Sequence, residues 1–316
     1  MSEIGIEDVR EAHARIRGRI HFTPVLTSTR INELSGGRLF FKCENFQKTG
    51  SFKARGAANA VFSLSEPEAA RGVATHSSGN HAAALAWAAG LRGIPAFIAM
   101  PRTVSRVKLA SVERLGGEVV LCEPTHKARE AAAEKIVRET GAAFIHPFDN
   151  PRVISGQGTA ALELLGDVPD LDVIVCPVGG GGLLAGASIV AKALRPGIRI
   201  LAGEPEGAAD ASLSFSAGVR LPVEHPASIA DGLLAFVGSL TFPIIQRRVD
   251  GIATVSDDAI AAAMRRIWDI MKIAVEPSGA VAYAAIAEGK IAVEGRRVGV
   301  ILSGGNVEFG GQSGAG

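Results

Sequence analysis

Cysteine is scarce in this chain. Cys43, Cys122 and Cys176 are odd in number and far apart, and they form neither a CxxC pair nor a zinc-ligand spacing. They read as buried or free thiols of a reducing cytosol, not as the staples of a secreted scaffold. No run of 18 uncharged apolar residues occurs, so no membrane span is expected. The opening stretch "MSEIGIEDVREAHARIRGRI" lacks the basic tip and apolar core of a signal peptide, so the expected location is cytoplasmic. Net charge is nearly absent, at +1, and nucleic acid is therefore not an expected partner. Aromatic residues make up only 5 % of the chain, and no linker or low-complexity segment divides it.

Glycine, at 38 residues, and apolar side chains, at 47 % of 316 residues, are plentiful. That supply supports two packed lobes, with tight turns and closely packed helices, and fits an α/β protein better than a β-sandwich. Six short apolar runs end in glycine or proline: "GVATHSSG" (72–79), "PAFIAMP" (95–101), "EVVLCEP" (118–124), "VIVCPVGGGG" (173–182), "RILAGEP" (199–205) and "VGVILSGG" (298–305). Each reads as a buried parallel strand feeding a loop. Helical patterns lie between them at 81–91, 105–116 and 127–141, the last two stopping at Gly116 and Gly141. A further helix over 256–273 has Ser256 as its expected N-cap. The alternation implies right-handed βαβ units. The regular units at 71–149 are expected to form a small domain inserted in a large one made of 1–70 and 150–316. After Gly305 only a short glycine-rich tail remains, so no C-terminal regulatory domain is expected.

Gly179, Gly180, Gly181 and Gly182 follow one strand and open a helix. Bare amides at a helix N-terminus make an anion site, best suited to phosphate; a plain turn does not require four successive glycines. No GK[ST] follows, which excludes a P-loop. Gly180, Gly182 and Ala185 fit the looser dinucleotide pattern, and Glu204 stands where a ribose partner belongs. A nicotinamide dehydrogenase is therefore one hypothesis.

Three other stretches have no place in it. "TGSFKARGA" (49–57) sets Lys53 among small neutral residues, and "SSGNHA" (77–82) offers hydroxyls, an amide and a helix start, suiting a carboxylate. "LSGGN" (302–306) puts the Ser303 hydroxyl at a strand end. In a parallel sheet these loops open on one edge, where they can share a crevice. A lysine, a phosphate cradle, a carboxylate cradle and a hydroxyl together suggest pyridoxal 5'-phosphate (PLP).

With "HFTPVLTS" (21–28), "FQKTGSFKARGA" (46–57), "THSSGNHA" (75–82), "ISGQGTAALE" (154–163), "PVGGGGLLAG" (177–186), "IADG" (229–232), "EPSGA" (276–280) and "LSGGNVE" (302–308), the chain resembles the serine/threonine dehydratases of the tryptophan synthase β-like, fold type II PLP enzymes. The likeness is nearest to the serine racemase and serine dehydratase branch and runs colinearly through almost the whole chain. It implies two lobes, each an open, mostly parallel sheet flanked by helices, with PLP between them, and a homodimer.

Carried over by motif, the resemblance makes Lys53 the Schiff-base lysine and the base for the Cα proton, Phe52 the residue packed on one ring face, and Asn80 the partner of the ring's phenolic oxygen. Gly179 to Gly182 with Leu183 would hold the phosphate, and Ser303 would face the pyridine nitrogen. A neutral serine there leaves the ring a weaker electron sink, so loss of a β-substituent competes well with routes that need a long-lived carbanion. The favoured reaction is β-elimination from L-serine or L-threonine, giving pyruvate or 2-oxobutanoate and ammonia. The alternatives are a serine or aspartate racemase and a 3-hydroxyaspartate dehydratase.

Ser77, Ser78, Gly79, Asn80 and His81 form the expected substrate loop. Ser78 either carries a proton on the face opposite the lysine or only binds the carboxylate; His81 reads as a helix-start residue more than as a base. Arg129 matches an arginine able to reach a second carboxylate, or lies on a solvated face. Glu204, Asp210 and the Ala208 carbonyl resemble a cation site for Mg²⁺, with Ca²⁺ or Mn²⁺ as alternatives, or else form an acidic loop. Lys48, Thr49, Lys272 and Asn306 match the ATP site of mammalian racemases, but Ala83 and Leu115 replace its glutamine and tyrosine, which puts ATP activation in doubt.

Overall fold

The structure, a computed structural model, describes residues 3–307 apart from the side chain of His126. The glycine-rich tail beyond them, on which the expectation about a regulatory domain rests, lies outside the described residues. Among the described residues the strands are, in chain order, β1 (Val25–Leu26), β2 (Arg38–Cys43), β3 (Val73–His76), β4 (Ala96–Pro101), β5 (Gly117–Cys122), β6 (Ala143–Phe144), β7 (Val173–Pro177), β8 (Arg199–Pro205), β9 (Gly251–Val255) and β10 (Arg297–Leu302). The helices are α1 (Ile6–Ile16), α2 (Thr29–Ser35), α3 (Lys53–Phe62), α4 (Glu66–Ala69), α5 (Asn80–Arg92), α6 (Arg106–Arg114), α7 (His126–Thr140), α8 (Pro151–Asp167), α9 (Gly182–Leu194), α10 (Asp210–Ala217), α11 (Thr241–Arg248), α12 (Asp257–Met271) and α13 (Pro277–Ala287).

The larger sheet runs β1-β2-β10-β7-β8-β9 and is parallel except at β1. The smaller runs β5-β4-β3-β6 and is wholly parallel. The fold is thus α/β, with mostly parallel sheets flanked by helices, and all six sequence-read strands are present. One departs from expectation: β5 is not buried. It is the edge of the smaller sheet, and Val120 and Leu121 stand 40 % and 41 % exposed. Ser256 caps α12 by accepting from the Ala259 amide at 3.2 Å. Gly141 ends α7 with φ 70°, and Gly116, φ 85°, lies one residue past the cap of α6. Among the described residues no helix is long and apolar enough to cross a membrane.

Helix α3 lies at the seam between the sheets. Its Ala57, Ala60 and Val61 join the core made by Val73, Ile98 and Met100 of the smaller sheet and Leu85 of α5. Its other side meets α8 backbone to backbone: a Cβ on Gly156 would lie 2.7 Å from the Arg55 carbonyl oxygen and the Gly56 Cα. Alanine and glycine permit that approach where larger residues would not.

A buried ionic cluster fixes α3 lengthwise. Arg55 has no exposed surface; its Nε and Nη2 donate to Glu44 at 2.7 and 2.8 Å, and its Nη1 and Nη2 to Glu163 at 2.8 and 2.7 Å. Lys42 Nζ, also fully buried, lies 2.8 Å from Glu163 and donates to the Thr23 carbonyl at 2.7 Å. Two cations therefore face two carboxylates. Burial alone would raise the Glu163 carboxyl, but the hydrogen bonds and charge of Arg55 and Lys42 hold it below its ordinary range.

Glu163→Gln keeps the side-chain shape and removes one of the two negative charges. Left with an uncompensated buried cation, the variant should lose about 3–5 kcal/mol in urea unfolding. A loss near zero would show that the cluster does not hold α3.

Candidate active site

Chain geometry after β2 delivers Lys53 to the C-terminal edge of the larger sheet. Thr49 and Gly50 take φ values of 58° and 74°, a reversal that lets Ser51 form a bridge with Gly304 just beyond β10. The Phe52 amide then donates to the Ser303 carbonyl at 3.0 Å. Lys53, first residue of α3, is thus tied to the C-terminal end of the central strand β10. Its Nζ donates to the Pro147 carbonyl at 2.9 Å and lies 5.1 Å from the centroid of the Phe52 ring. Burial pushes the amine down to about 8, partly opposed by the negative charge of Glu276.

The glycine loop lies where β7 meets α9. Gly181 is the N-cap of α9, with φ 89°. Its neighbours require glycine as well: a Cβ on Gly179 would stand 2.7 Å from the Leu233 Cα, one on Gly180 would enter the Phe148 ring, and one on Gly182 would lie 3.1 Å from the Phe148 Cβ. Among the described residues no acceptor takes the amides of Gly179 to Leu183, so the loop keeps the bare donors an anion needs. Ser303 is buried, and its hydroxyl reaches the Ser278 carbonyl at 3.3 Å.

Beside the smaller sheet, Ser77 to Gly79 form the turn between β3 and α5. The Ser77 amide donates to the Ala99 carbonyl at 3.2 Å. A Cβ on Gly79 would meet nothing within 4 Å, so protein packing does not explain that glycine. Ser78 lines a cleft of about 530 Å³ with Thr103, Ser105, Lys108, Asp231 and Asn306. A 2.6 Å ion pair between Lys108 on α6 and Asp231 spans this cleft. His81 is buried, with Nε2 3.3 Å from the Ile145 carbonyl and Nδ1 unpartnered. Burial, then the charge of Lys53, holds its ring well below the ordinary histidine range.

Glu276 was not singled out from the sequence, although it belongs to the "EPSGA" motif. It is buried at the N-cap of α13, accepts from Asn80 Nδ2 at 2.8 Å and from the Asn306 amide at 3.2 Å. Asn306 Nδ2 in turn donates to Asn80 Oδ1 at 2.9 Å and to the Thr49 carbonyl at 2.8 Å. Burial raises the Glu276 carboxyl to about 7, with Asp231 adding to the rise. An acid placed directly before a proline at a helix start was the only local signal for it.

Two sequence-read groups make no hydrogen bond to these loops among the described residues. Arg129 is on α7; its Nε is buried without a hydrogen-bond partner, and its charge acts on the Cys122 thiol at the end of β5. Glu204 is the last residue but one of β8, with Oε1 and Oε2 accepting from the Ala211 and Ser212 amides at 2.8 Å each. Asp210 opens α10 and accepts from the Val237 amide at 2.8 Å. Burial raises Glu204 to about 8 and Asp210 to about 6. Among the described residues no group of three or more His, Cys, Asp or Glu could hold a metal.

Residues 16–304 match the family described as "Pyridoxal-phosphate dependent enzyme". A serine racemase of Oryza sativa subsp. indica is 49 % identical over 310 residues, 96 % of this chain and 91 % of that protein. A beta-hydroxyaspartate dehydratase of Paracoccus denitrificans is also 49 % identical, over 96 % of each chain. The structure of maize serine racemase superposes with a TM-score of 0.96 at 47 % identity, covering 98 % of this chain and 95 % of the other. The residues present fit that cofactor: a lysine amine with lowered pKa is tied through Phe52 to Ser303, whose hydroxyl is neutral and buried, and through Pro147 and Phe148 to four glycines with unclaimed amides.

Because burial disfavours the charged amine, the neutral, nucleophilic form of Lys53 should appear at lower pH than that of a surface lysine. In cofactor-free protein, acylation of Lys53 followed by peptide mass spectrometry should show a midpoint near pH 8. A midpoint matching the exposed lysines would remove the basis for a neutral amine here.

Proposed function

The chain belongs to the family of pyridoxal-phosphate dependent enzymes, and on that premise we propose that it racemises serine and also eliminates its β-hydroxyl. PLP, when bound, supplies the electron sink that makes an amino acid's Cα proton acidic. The observation that carries the reading is Ser78, a hydroxyl in the cleft wall, in a chain that already has an amine for proton transfer in Lys53. Elimination needs one proton-transfer group; racemisation needs a second, so that a proton leaves one side and returns to the other. With its pKa near 8, Lys53 can both accept and return a proton at neutral pH. The turn at Ser77–Gly79 and the N-terminus of α5 offer donors to the substrate carboxylate. Phe52, Asn80, Gly179 to Leu183 and Ser303 would hold the cofactor in the roles the sequence suggested. Relatives named serine racemase support racemisation as the principal activity, above the elimination that the sequence favoured.

A second reading, 3-hydroxyaspartate dehydratase, draws support from Arg129, whose buried Nε has no partner, and from the Paracoccus relative. A guanidinium suits the extra carboxylate. Glu204, Asp210 and the Ala208 carbonyl would hold a divalent cation: hard oxygen donors suit Mg²⁺, and the cation would relieve two carboxylates that burial disfavours.

Chiral product analysis tests the activity. L-Serine should yield both D-serine and pyruvate; Lys53→Ala should abolish both, and Ser78→Ala should lose D-serine while keeping pyruvate. Racemisation at the parent rate by Ser78→Ala would sink the proposal. Arg129→Ala should lower kcat/KM on 3-hydroxyaspartate at least about tenfold, the scale of one charged hydrogen bond, and leave serine turnover unchanged if the second reading is right. For the cation, Mg²⁺ should raise the melting temperature of the parent but not of Glu204→Gln; equal shifts would place the ion elsewhere.

A further inference from the structure

The segment His146–Asp149, between β6 and α8, touches both halves of the proposed chemistry. The Pro147 carbonyl takes the Lys53 amine at 2.9 Å. The next residue, Phe148, lies over the glycine loop, with its ring where a Cβ on Gly180 would stand and its own Cβ 3.1 Å from one on Gly182. Lysine and cradle are thus spaced by two consecutive residues of one irregular segment. Such a segment has no ladder to hold it, so something else must.

Asp149 does so. Its Oδ2 accepts from the Ser239 amide at 2.9 Å and the Ser239 hydroxyl at 2.7 Å. Its Oδ1 accepts from the Leu240 and Thr241 amides at 2.8 and 3.2 Å, at the N-terminus of α11. Four donors on one carboxylate at a helix N-terminus make a strong anchor. On the near side the His146 Nδ1 accepts from the Asp149 amide at 2.9 Å and the Phe148 amide at 3.3 Å, tightening the turn. On the far side Thr241 Oγ1 donates to the Gly180 carbonyl at 2.7 Å, and the Gly238 amide reaches the same carbonyl at 3.2 Å. A continuous path therefore runs from Lys53 Nζ through Pro147 and Asp149 to Thr241 and back to the glycine loop.

We propose that Asp149 is a positioning residue, which sets the Lys53 amine and the phosphate-binding loop relative to each other, with Thr241 as its link to the loop. The inference rests on the proposed cofactor for the identity of the ligand, but not on which amino acid is turned over. In Asp149→Asn the carboxamide nitrogen would face donors, so about half of the anchor's acceptor capacity is lost.

PLP binding to cofactor-free protein, followed by absorbance without any amino acid, is the test. Asp149→Asn should bind PLP at least about tenfold more weakly, the scale of one lost charged hydrogen bond. It should also raise the pH midpoint of Lys53 acylation, because a loosened segment admits water to the amine. Thr241→Val should weaken PLP binding without moving that midpoint, and Thr241→Ser should restore parental affinity. An Asp149→Asn protein with parental affinity and midpoint would overturn the inference. Should that variant not fold, equal PLP affinity in Thr241→Val and Thr241→Ser would overturn it instead. A protein that follows these expectations yet turns over no serine would leave the inference standing and sink the proposed activity.

Discussion

A guanidinium with no route to water determines where α3 can sit. Arg55 places every nitrogen against an acceptor, on Glu44, Glu163 and Thr159, and these acceptors come from the end of β2 and from α8. Sliding α3 by one residue would strand a buried charge, so the helix has one axial position. Lys53, two residues upstream, inherits that position. The two cations are opposites in every other respect. Arg55 is neutralised by carboxylates on two sides, whereas Lys53 has a single neutral carbonyl and a water-poor setting that disfavours its charge. The paired cation holds the structure, and the unpaired one is free to do chemistry.

Glycine serves two purposes that composition alone does not separate. Gly156, Gly158 and Gly186 let α3, α8 and α9 touch through their backbones; a Cβ on Gly186 would stand 2.6 Å from the Gly158 nitrogen. Gly179 to Gly182 are also crowded, by Leu233, Phe148, Thr241 and Ile245, yet their amides remain without acceptors. Packing from outside the loop is therefore what keeps its donors bare on the inside. A turn of larger residues could not accept that packing, which is a stronger reason for four glycines than chain flexibility.

The strands most legible in the sequence were those with helices on both faces, since continuous apolar runs are what such burial demands. Strand β5 carries the same kind of run but stands at an edge, and nothing within "EVVLCEP" distinguishes the two. The two-residue strands β1 and β6 are too short to leave a pattern. Lys53, the glycine loop and Ser303 were readable because residue type and local context carry their chemistry. The segment His146–Asp149 was not: Pro147 acts through a backbone carbonyl, and Asp149 meets partners 90 or more positions away. Nor did the sequence reveal that α3, assigned to the large domain, would lend its apolar face to the core of the smaller sheet.

The same crevice that lowers Lys53 raises Glu276, and for the same reason. Burial penalises whichever form is charged, so it drives the amine down to about 8 and the carboxyl up to about 7. Asn80 at the start of α5 and Asn306 beyond β10 bond to that carboxyl, so its charge is tied to contact between elements of the two sheets. The Glu276 charge in turn favours the protonated amine. Burial thus favours the neutral form of both groups, which lowers the electrostatic work of moving a proton at either. A crevice arranged in this way suits a proton in transit better than it suits a permanent charge, and removal of the proton from Cα is the step that racemisation and elimination share.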